Sequence, residues 1–305
     1  MLVGLVGCGK WGSFILRDLR SLGAEVVVVA RSEESRQRAR QGGASRIVAT
    51  PDELGTVAAV VVATPPTTHF PIIKQLLSRE QPPFIFTEKP LCVSAEHAHE
   101  LVRLGHDRVF AMHQWRYHPG VLALADLIRT QALGALTGLQ LQMLDWGTAR
   151  ADANTIWHLM THQLSIVLEL LGHIPEPVAA RIDTTGTRIR GMAALLGNRP
   201  FVQIDVSDRH ETVTRQVRVL AEHGTAVLAG AYEPELLLYR TDTIQRKTQP
   251  QPERIPIATD MPLRLELAYF LQFIQENRPI PKTTVTDAAL IVVRTEQLLN
   301  LAVSI

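Results

Sequence analysis

The chain has 305 residues, of which 46% are hydrophobic and 20% are charged, and its formal net charge is +1. This composition excludes an extensively disordered chain, and the length favours two domains. The nearly neutral charge excludes the strong basic field that holds nucleic acid or an anionic membrane by bulk electrostatics. The two cysteines, Cys8 and Cys92, exclude a disulfide framework and a C-x-x-C metal pair.

No stretch of the sequence approaches the ~18 consecutive apolar residues of a membrane span. The N-terminal apolar run is not preceded by a basic region, because the first basic residue of the chain is Lys10. A secretory signal peptide would need that basic region, so we expect a cytoplasmic protein.

The first predicted elements are a buried strand, a glycine turn and a helix. The apolar run from Leu2 to Val6 ends in Gly7, Gly9 and Gly12, and an amphipathic segment follows from Ser13 to Leu22. This order is the dinucleotide-binding fingerprint G-x-G-x-x-G, in which the glycines permit the turn, the approach of a pyrophosphate and the packing of helix on strand. The bare amides at the helix start attract phosphates. The alternative is a tight turn that binds nothing.

The end of the second predicted strand bears on the choice of cofactor. The run from Glu25 to Ala30 ends in Arg31 and Ser32, at the position, about 20 residues after the glycines, that meets the adenosine ribose in such folds. A guanidinium and a hydroxyl suit the 2′-phosphate of NADP, which a carboxylate would repel. We therefore expect NADP. NAD is the alternative, in which Glu33 or Glu34 reaches the ribose.

Strands and helices continue to alternate through the first third of the chain. Strands are predicted at 46–49, 57–63, 84–87 and 109–113, with a helix at 95–104. The alternation predicts a Rossmann-type, doubly wound parallel sheet over residues 1–118. Ligands of such sheets bind beyond the carboxyl ends of the strands. The residues that fall at such ends are Gly7, Arg31, Thr64, Lys89 and Gln114; the bond from Lys89 to its proline is also a candidate cis peptide.

The pattern changes over residues 119–305. Helices are predicted at 121–130 and 156–171, strands at 136–144, 178–185, 190–196, 201–206, 216–221, 226–229 and 236–239, a loop at 245–257, and helices at 262–276 and 286–301. Strands separated by turns predict a second, α+β domain with a mainly antiparallel open sheet, covered by helices on one face. An uncovered face favours a homodimer or homotetramer formed through this sheet.

Five motifs together point to one family. They are GLVGCGKWG at Gly4 to Gly12, ATPPTTH at Ala63 to His69, EKP at Glu88 to Pro90, WRYHP at Trp115 to Pro119 and WHLMTHQLSIVLELLG at Trp157 to Gly172. With these motifs the chain resembles the glucose–fructose oxidoreductase / inositol dehydrogenase / rhizopine catabolism (Gfo/Idh/MocA) family. The resemblance covers the whole chain, including the order of the two domains.

The resemblance implies a role for each matched position. Lys89 and His162 would be catalytic, with Lys89 on the reacting oxygen and His162 as proton donor or acceptor, while Arg116 and Tyr117 would lie near the substrate. The cofactor-binding residues that we predict are Gly7, Gly9, Lys10, Trp11, Gly12, Arg31, Ser32, Thr64, Pro65, His69, Glu88 and Lys89.

The helix that carries His162 departs from the family pattern. His158 stands where the family commonly has Asp, and Gln163 stands where many sugar-active members have a second Asp. We assign both to substrate binding. A spacing of four places His158 and His162 on one helical face, and two imidazoles so close favour a neutral His162 as the base. The alternatives are a zinc pair, which lacks an evident third ligand, and two core histidines.

We therefore expect an NAD(P)-dependent oxidoreductase that transfers a hydride between nicotinamide and a hydroxyl or carbonyl carbon. The expected substrate is small, a sugar or polyol derivative, and we expect no metal, nucleic acid or membrane partner. Two alternatives remain open at this stage: an imine or biliverdin-type reductase on the same scaffold, and a regulator that binds NAD(P) without catalysis.

Overall fold

The computed structural model describes residues 1–147, 154–241, 251–276 and 279–303. In chain order to residue 129, the elements are β1 (Leu2–Val6), α1 (Lys10–Ser21), β2 (Glu25–Val29), α2 (Glu33–Gln41), β3 (Arg46–Val48), β4 (Ala59–Val62), α3 (His69–Leu77), β5 (Phe84–Glu88), α4 (Ala95–Gly105), β6 (Val109–Met112) and α5 (Pro119–Arg129). They continue as β7 (Leu136–Trp146), α6 (Thr155–Leu171), β8 (Pro177–Thr185), β9 (Arg188–Leu196), β10 (Phe201–Ser207), β11 (Arg209–Ala221), β12 (Gly224–Leu228), β13 (Glu235–Arg240), β14 (Glu253–Pro256), α7 (Pro262–Glu276) and α8 (Val285–Val303). Across these ranges, no helix is both long and apolar enough to cross a bilayer.

The first structural unit contains a six-stranded parallel sheet in the order β3-β2-β1-β4-β5-β6. This is the strand order of a Rossmann fold, in which the order reverses between β1 and β4 and leaves a crevice beyond their carboxyl ends. Val6 pairs with Val29 on one side and Val62 on the other, so these strands end at one level. The predicted parallel sheet is confirmed.

This unit is built from two segments of the chain, Met1–Gln114 and Met261–Val293. The later segment contributes α7, which packs against α1 and buries Leu267 and Phe270 in the same core as the sheet. The sequence-based division at residue 118 gives a continuous first domain, whereas this unit combines two separated segments of the chain. The reason lies in the apolar face of α7, which covers aromatic side chains of β5 and β6.

The second unit contains an eight-stranded sheet in the order β14-β13-β12-β11-β7-β10-β9-β8. All neighbouring pairs are antiparallel except β7 and β10. The helix α6 packs on β7, β9 and β10. Side chains of β10 alternate accordingly: Val202, Ile204 and Val206 are buried, and Gln203 between them is exposed. The predicted mainly antiparallel sheet is confirmed.

One predicted loop is partly wrong. The sequence predicts a loop at 245–257, but Glu253–Pro256 forms the edge strand β14, which pairs antiparallel with β13. Proline suppresses a strand prediction because it cannot donate to the ladder, yet an edge strand tolerates it. Residues 245–250 of that predicted loop lie outside the described residues.

The packing of α7 predicts where the first unit is most sensitive to truncation of a side chain. Phe270 is fully buried and stacks on Phe86 with ring centroids 4.5 Å apart. We expect Phe270→Ala to lower the free energy of unfolding by about 3–5 kcal/mol, the usual cost of a deleted core aromatic. The measurement is urea unfolding. The control is Tyr269→Ala on the partly exposed side of the same helix, and equal losses in both variants would contradict this packing.

Candidate functional site

In the glycine turn between β1 and α1, backbone atoms lie so close together that two positions have no room for a side chain. Gly7 has a φ of +96°, and a Cβ there would lie 2.6 Å from the carbonyl oxygen of Ala63. A Cβ on Gly12 would lie 2.3 Å from the carbonyl oxygen of Gly7. At Gly9 a Cβ would meet open space within the described part of the chain. Gly7 and Gly12 therefore serve packing, and bare Gly9 leaves the turn open to a ligand.

The start of α1 presents backbone amides to that open side. The first helical hydrogen bond runs from the Ser13 amide to the Gly9 carbonyl at 3.0 Å, so the amides before Ser13 lie outside the helical series. Gly9 is the N-cap and has no side chain to accept from them, and the first turn carries Lys10 and no acidic residue. Amides, helix dipole and Lys10 all favour an anion here. The turn therefore fits the pyrophosphate of a dinucleotide.

The carboxyl ends of β4 and β5 are joined next to this turn. The His69 ring is fully buried and lies 2.9 Å from the Thr64 carbonyl oxygen and 2.7 Å from that of Pro90. The Thr68 hydroxyl donates to Thr64 Oγ1 and to the Pro65 carbonyl, each at 2.7 Å. The buried His69 ring thus connects the segment after β4 to the segment after β5. Thr64 and Pro65 lie at the edge of the sheet where β4 ends.

The Glu88–Lys89–Pro90 segment follows β5 at the same edge, and its Lys89–Pro90 peptide is cis. The two carboxylate oxygens of Glu88 accept separate hydrogen bonds: one from the Trp11 indole N–H and one, at 3.1 Å, from the Lys89 amide. Trp11 belongs to the first turn of α1, so this carboxylate ties the glycine turn to the end of β5. Sequence analysis names both residues but gives no sign that they bind each other.

The end of β2 carries the residues that the sequence assigns to the adenosine ribose. Ser32 is the N-cap of α2 and accepts a hydrogen bond from the Ser35 amide at 3.2 Å. Arg31 is exposed, and the Nε of Arg36 donates to the Ala30 carbonyl at 3.1 Å. The edge beyond β2 therefore carries two guanidinium groups and a hydroxyl.

The acidic residues that follow are engaged along α2. Glu33 accepts a hydrogen bond from Arg40 at 2.7 Å, and Glu34 accepts one from Arg38. The hydrogen bond and charge of Arg40 hold the pKa of Glu33 below its ordinary value. Arginines on the same helix thus neutralise both carboxylates, so that the carboxylates repel an anion at the end of β2 less strongly.

In the second unit, the predicted site residues lie on α6 and just before α5. Asn154 caps α6 by accepting from the amides of Ile156 and Trp157, and Gly172 ends the helix in the left-handed conformation. His162 and Glu169 are partly exposed on this otherwise buried helix, and they are two turns apart on one face. They are the polar side chains of α6 that are not fully buried.

His158 and Gln163 lie deeper in α6 than His162. Gln163 is only 1% exposed, and its Oε1 has no hydrogen-bond partner within the described residues, while His158 is 9% exposed. Across the described ranges, no group of three or more His, Cys, Asp or Glu side chains is placed to hold a metal. The assignment of His158 and Gln163 to substrate stays a prediction.

Arg116 is held by a residue that sequence analysis does not single out. Its Nε donates to Glu169 Oε2 at 2.9 Å, and the two side chains are 12% and 10% exposed. The signal for Glu169 is its place two turns after His162 on α6. Tyr117, the residue after Arg116, is also buried. The assignment of Arg116 and Tyr117 to substrate stays a prediction.

Residues 1–109 match the family model described as the Gfo/Idh/MocA oxidoreductase family, NAD-binding Rossmann fold. An inositol 2-dehydrogenase of Arthrobacter sp. (strain FB24) is 34% identical over 151 residues, which cover 46% of this chain and 44% of that enzyme. The chain thus matches less than half the length of this relative. The uncharacterized oxidoreductase YdgJ of Escherichia coli (strain K12) is 26% identical over 279 residues, 85% of this chain and 75% of the relative.

Solved structures show the same fold over the whole chain. The UDP-N-acetylglucosamine 3-dehydrogenase GnnA from Acidithiobacillus ferrooxidans has a TM-score of 0.83 at 22% identity and covers 99% of this chain and 98% of its own. A levoglucosan dehydrogenase in complex with NADH and levoglucosan has a TM-score of 0.85 at 14% identity, covering 100% and 97%. Residues 1–109 thus match the NAD-binding Rossmann fold of the Gfo/Idh/MocA oxidoreductase family, and the whole chain shares the fold of these dehydrogenase structures.

Proposed function

We propose that this protein is an NADP(H)-dependent oxidoreductase that acts on a hydroxyl or carbonyl carbon of a small sugar or polyol derivative. The observation that carries the proposal is the glycine turn, which leaves the amides of α1 open to an anion beside the ends of β4 and β5. Thr64 and Lys89 follow these two strands. A dinucleotide bound with its pyrophosphate on the turn would extend along this edge of the sheet.

The substrate class rests on the relatives. Inositol 2-dehydrogenases are similar to this chain over about half its length, and one structural neighbour is a levoglucosan dehydrogenase. These substrates are polyhydroxylated rings. The replacement of the family's usual Asp by His158 changes the polar groups offered to such a ring, so we propose a derivative within this class and not a particular compound.

Each predicted catalytic residue has a distinct part in the proposal. A bound nicotinamide supplies or accepts the hydride. The Lys89 ammonium donates a hydrogen bond to the reacting oxygen and stabilises its developing negative charge. His162 takes the hydroxyl proton in oxidation and returns it in reduction. Arg116, Tyr117, His158 and Gln163 hold the substrate so that its carbon is in position for transfer.

The preference for NADP over NAD is also part of the proposal. Arg31 and Ser32 offer a guanidinium and a hydroxyl to a 2′-phosphate, and Glu33 is occupied by Arg40. An NAD-preferring site would instead need a carboxylate directed at the ribose hydroxyls. NAD binding with lower affinity is consistent with the same turn.

We further propose that a second copy of the chain covers the open face of the eight-stranded sheet, giving a homodimer or homotetramer. That face carries Gln140 and Gln203, which are hydrogen-bonded across β7 and β10 at 3.3 Å. The opposite face is already covered by α6.

The cofactor preference is tested with Arg31→Ala. We expect the dissociation constant of NADP to rise about tenfold while that of NAD changes little, because a charge-assisted hydrogen bond to phosphate is lost. Isothermal titration calorimetry with both dinucleotides gives the two constants. Arg103→Ala, which removes an exposed arginine in the last turn of α4, is the control. A parent protein that binds NAD more tightly than NADP would contradict the proposed preference.

The role of His162 is tested with His162→Ala. We expect turnover to fall about 10²–10⁴-fold with little change in NADP affinity, since removal of a proton-transfer group acts on the chemical step. Steady-state kinetics and dinucleotide titration measure the two quantities. His173→Ala replaces an exposed histidine just after α6 and is expected to behave as the parent. Parental turnover in His162→Ala would refute the assignment.

The reaction itself is tested by following NADPH oxidation and NADP reduction with a panel of substrates. We expect turnover with aldoses, keto sugars or cyclic polyols, because their hydroxyl and carbonyl groups suit Lys89 and His162. Imines and biliverdin complete the panel, and preferential turnover of either would replace the proposed substrate class. Tight NADP binding without turnover on any compound would instead favour a regulator.

A further inference from the structure

A carboxyl group lies inside the core of the first unit. Glu266 is 1% exposed and belongs to the buried face of α7, with Leu263, Leu267 and Phe270. Its Oε2 is buried without a hydrogen-bond partner in the described part of the chain. Burial of a carboxyl group among apolar side chains costs stability unless the group holds its proton or is paired. Because a buried carboxyl group lowers stability, we expect Glu266 to have a role other than packing.

Aromatic contacts fix how α7 lies along β5. Phe273 packs on Phe84 with ring centroids 5.2 Å apart, and Phe270 packs on Phe86 with centroids 4.5 Å apart. The helix therefore runs opposite in direction to the strand. Moving one turn toward the N-terminus of α7 therefore corresponds to moving two residues toward the C-terminus of β5.

The next step of this register brings Glu266 to Glu88. One helical turn advances about 5.4 Å and two strand residues about 6.6 Å, so the two progressions stay matched over this distance. Glu266 lies one turn before Phe270, and Glu88 lies two residues after Phe86. The buried carboxyl group therefore lies behind the end of β5, where the Glu88–Lys89–Pro90 segment begins.

The charges are consistent with this placement. Burial first, and the negative charge of Glu88 second, raise the pKa of Glu266 well above its ordinary value of 4.5. Both oxygens of Glu88 accept hydrogen bonds from N–H donors. On α1, which also packs against α7, the buried charged group is Asp18, which binds Arg17.

We propose that Glu266 is a positioning residue for Glu88, holding its carboxylate toward the Trp11 indole and the Lys89 amide from behind the end of β5. It touches neither dinucleotide nor substrate and acts through Glu88. Its effect on turnover rests on the proposed function, because Lys89 matters to turnover only if the protein is the oxidoreductase described above. Its effect on Trp11 and on stability does not.

The first test follows the Trp11 indole N–H by ¹⁵N–¹H correlation spectroscopy, with the resonance assigned by its loss in Trp11→Phe. In Glu266→Met, which keeps the volume and removes the polar group, we expect this resonance to shift. Glu266→Gln keeps the size and the polarity of the side chain at this place, so it is expected to retain the parental position. Glu276→Gln, on the exposed end of the same helix, is the control. A parental Trp11 resonance in Glu266→Met would overturn the proposal.

The second test is the melting temperature against pH. Because the folded pKa of Glu266 lies above its unfolded value, its contribution to stability is complete below about pH 4.5 and is lost as the pH rises through the folded pKa. Glu266→Gln cannot ionise. We expect it to melt close to the parent at the acid end and progressively above it as the pH rises, while Glu276→Gln follows the parent. A constant difference between Glu266→Gln and the parent would overturn the placement.

The third test compares turnover with NADPH affinity. We expect Glu266→Met to lose about tenfold in turnover, because Lys89 is displaced, without a fall in melting temperature, and Glu266→Gln to restore turnover to within about twofold of the parent. A merely structural role predicts parental turnover in Glu266→Met and overturns the proposal. If the parent does not bind NADPH, the proposed function fails, and the first two tests still decide the role of Glu266.

Discussion

The close approach of α1 to β1 is the constraint on which the nucleotide end of this protein depends. Where the Gly12 backbone passes the Gly7 carbonyl, any side chain at Gly12 would overlap backbone atoms that cannot move aside. The contact fixes the direction in which α1 leaves the sheet, and with it the direction of the amides in its first turn. It also brings Trp11 to Glu88. The absence of side chains at Gly7 and Gly12 thus fixes where the first turn of α1 and its Trp11 side chain lie.

Carboxylates at this edge are handled in two different ways. Those near the end of β2, Glu33 and Glu34, are neutralised by arginines on the same helix. Glu88, at the end of β5, is instead held by N–H donors from two elements. Arginines therefore compensate the negative charge of the carboxylates near the end of β2, where the adenosine phosphate is proposed to bind. At the end of β5, two N–H donors fix the direction of the Glu88 carboxylate.

Local patterns made much of the fold predictable from sequence. The apolar run before Gly7 and the prolines after Thr64 mark strand ends, and the predicted bounds of α6 differ from the observed helix by one residue. Contacts between distant residues were not predictable. An amphipathic helix such as α7 shows that one face is buried but not which sheet covers it. Likewise, the ion pair of Arg116 with Glu169 cannot be inferred from the local sequence around either residue. Glu266 is a glutamate in a helix, a residue that ordinarily faces water, and only the packing of α7 shows otherwise.

The second segment of the first unit also bears on how the chain acquires its structure during synthesis. All six strands of the parallel sheet precede residue 113, whereas α7, which supplies Phe270 and Phe273 to the same core, begins at Pro262. While residues 115–260 of the second unit are being translated, the helix that covers the aromatic side chains of β5 and β6 has therefore not yet been made. Exposed apolar surface of that kind is what chaperones bind and what promotes aggregation. The core of the first unit is complete only once α7 has been synthesised.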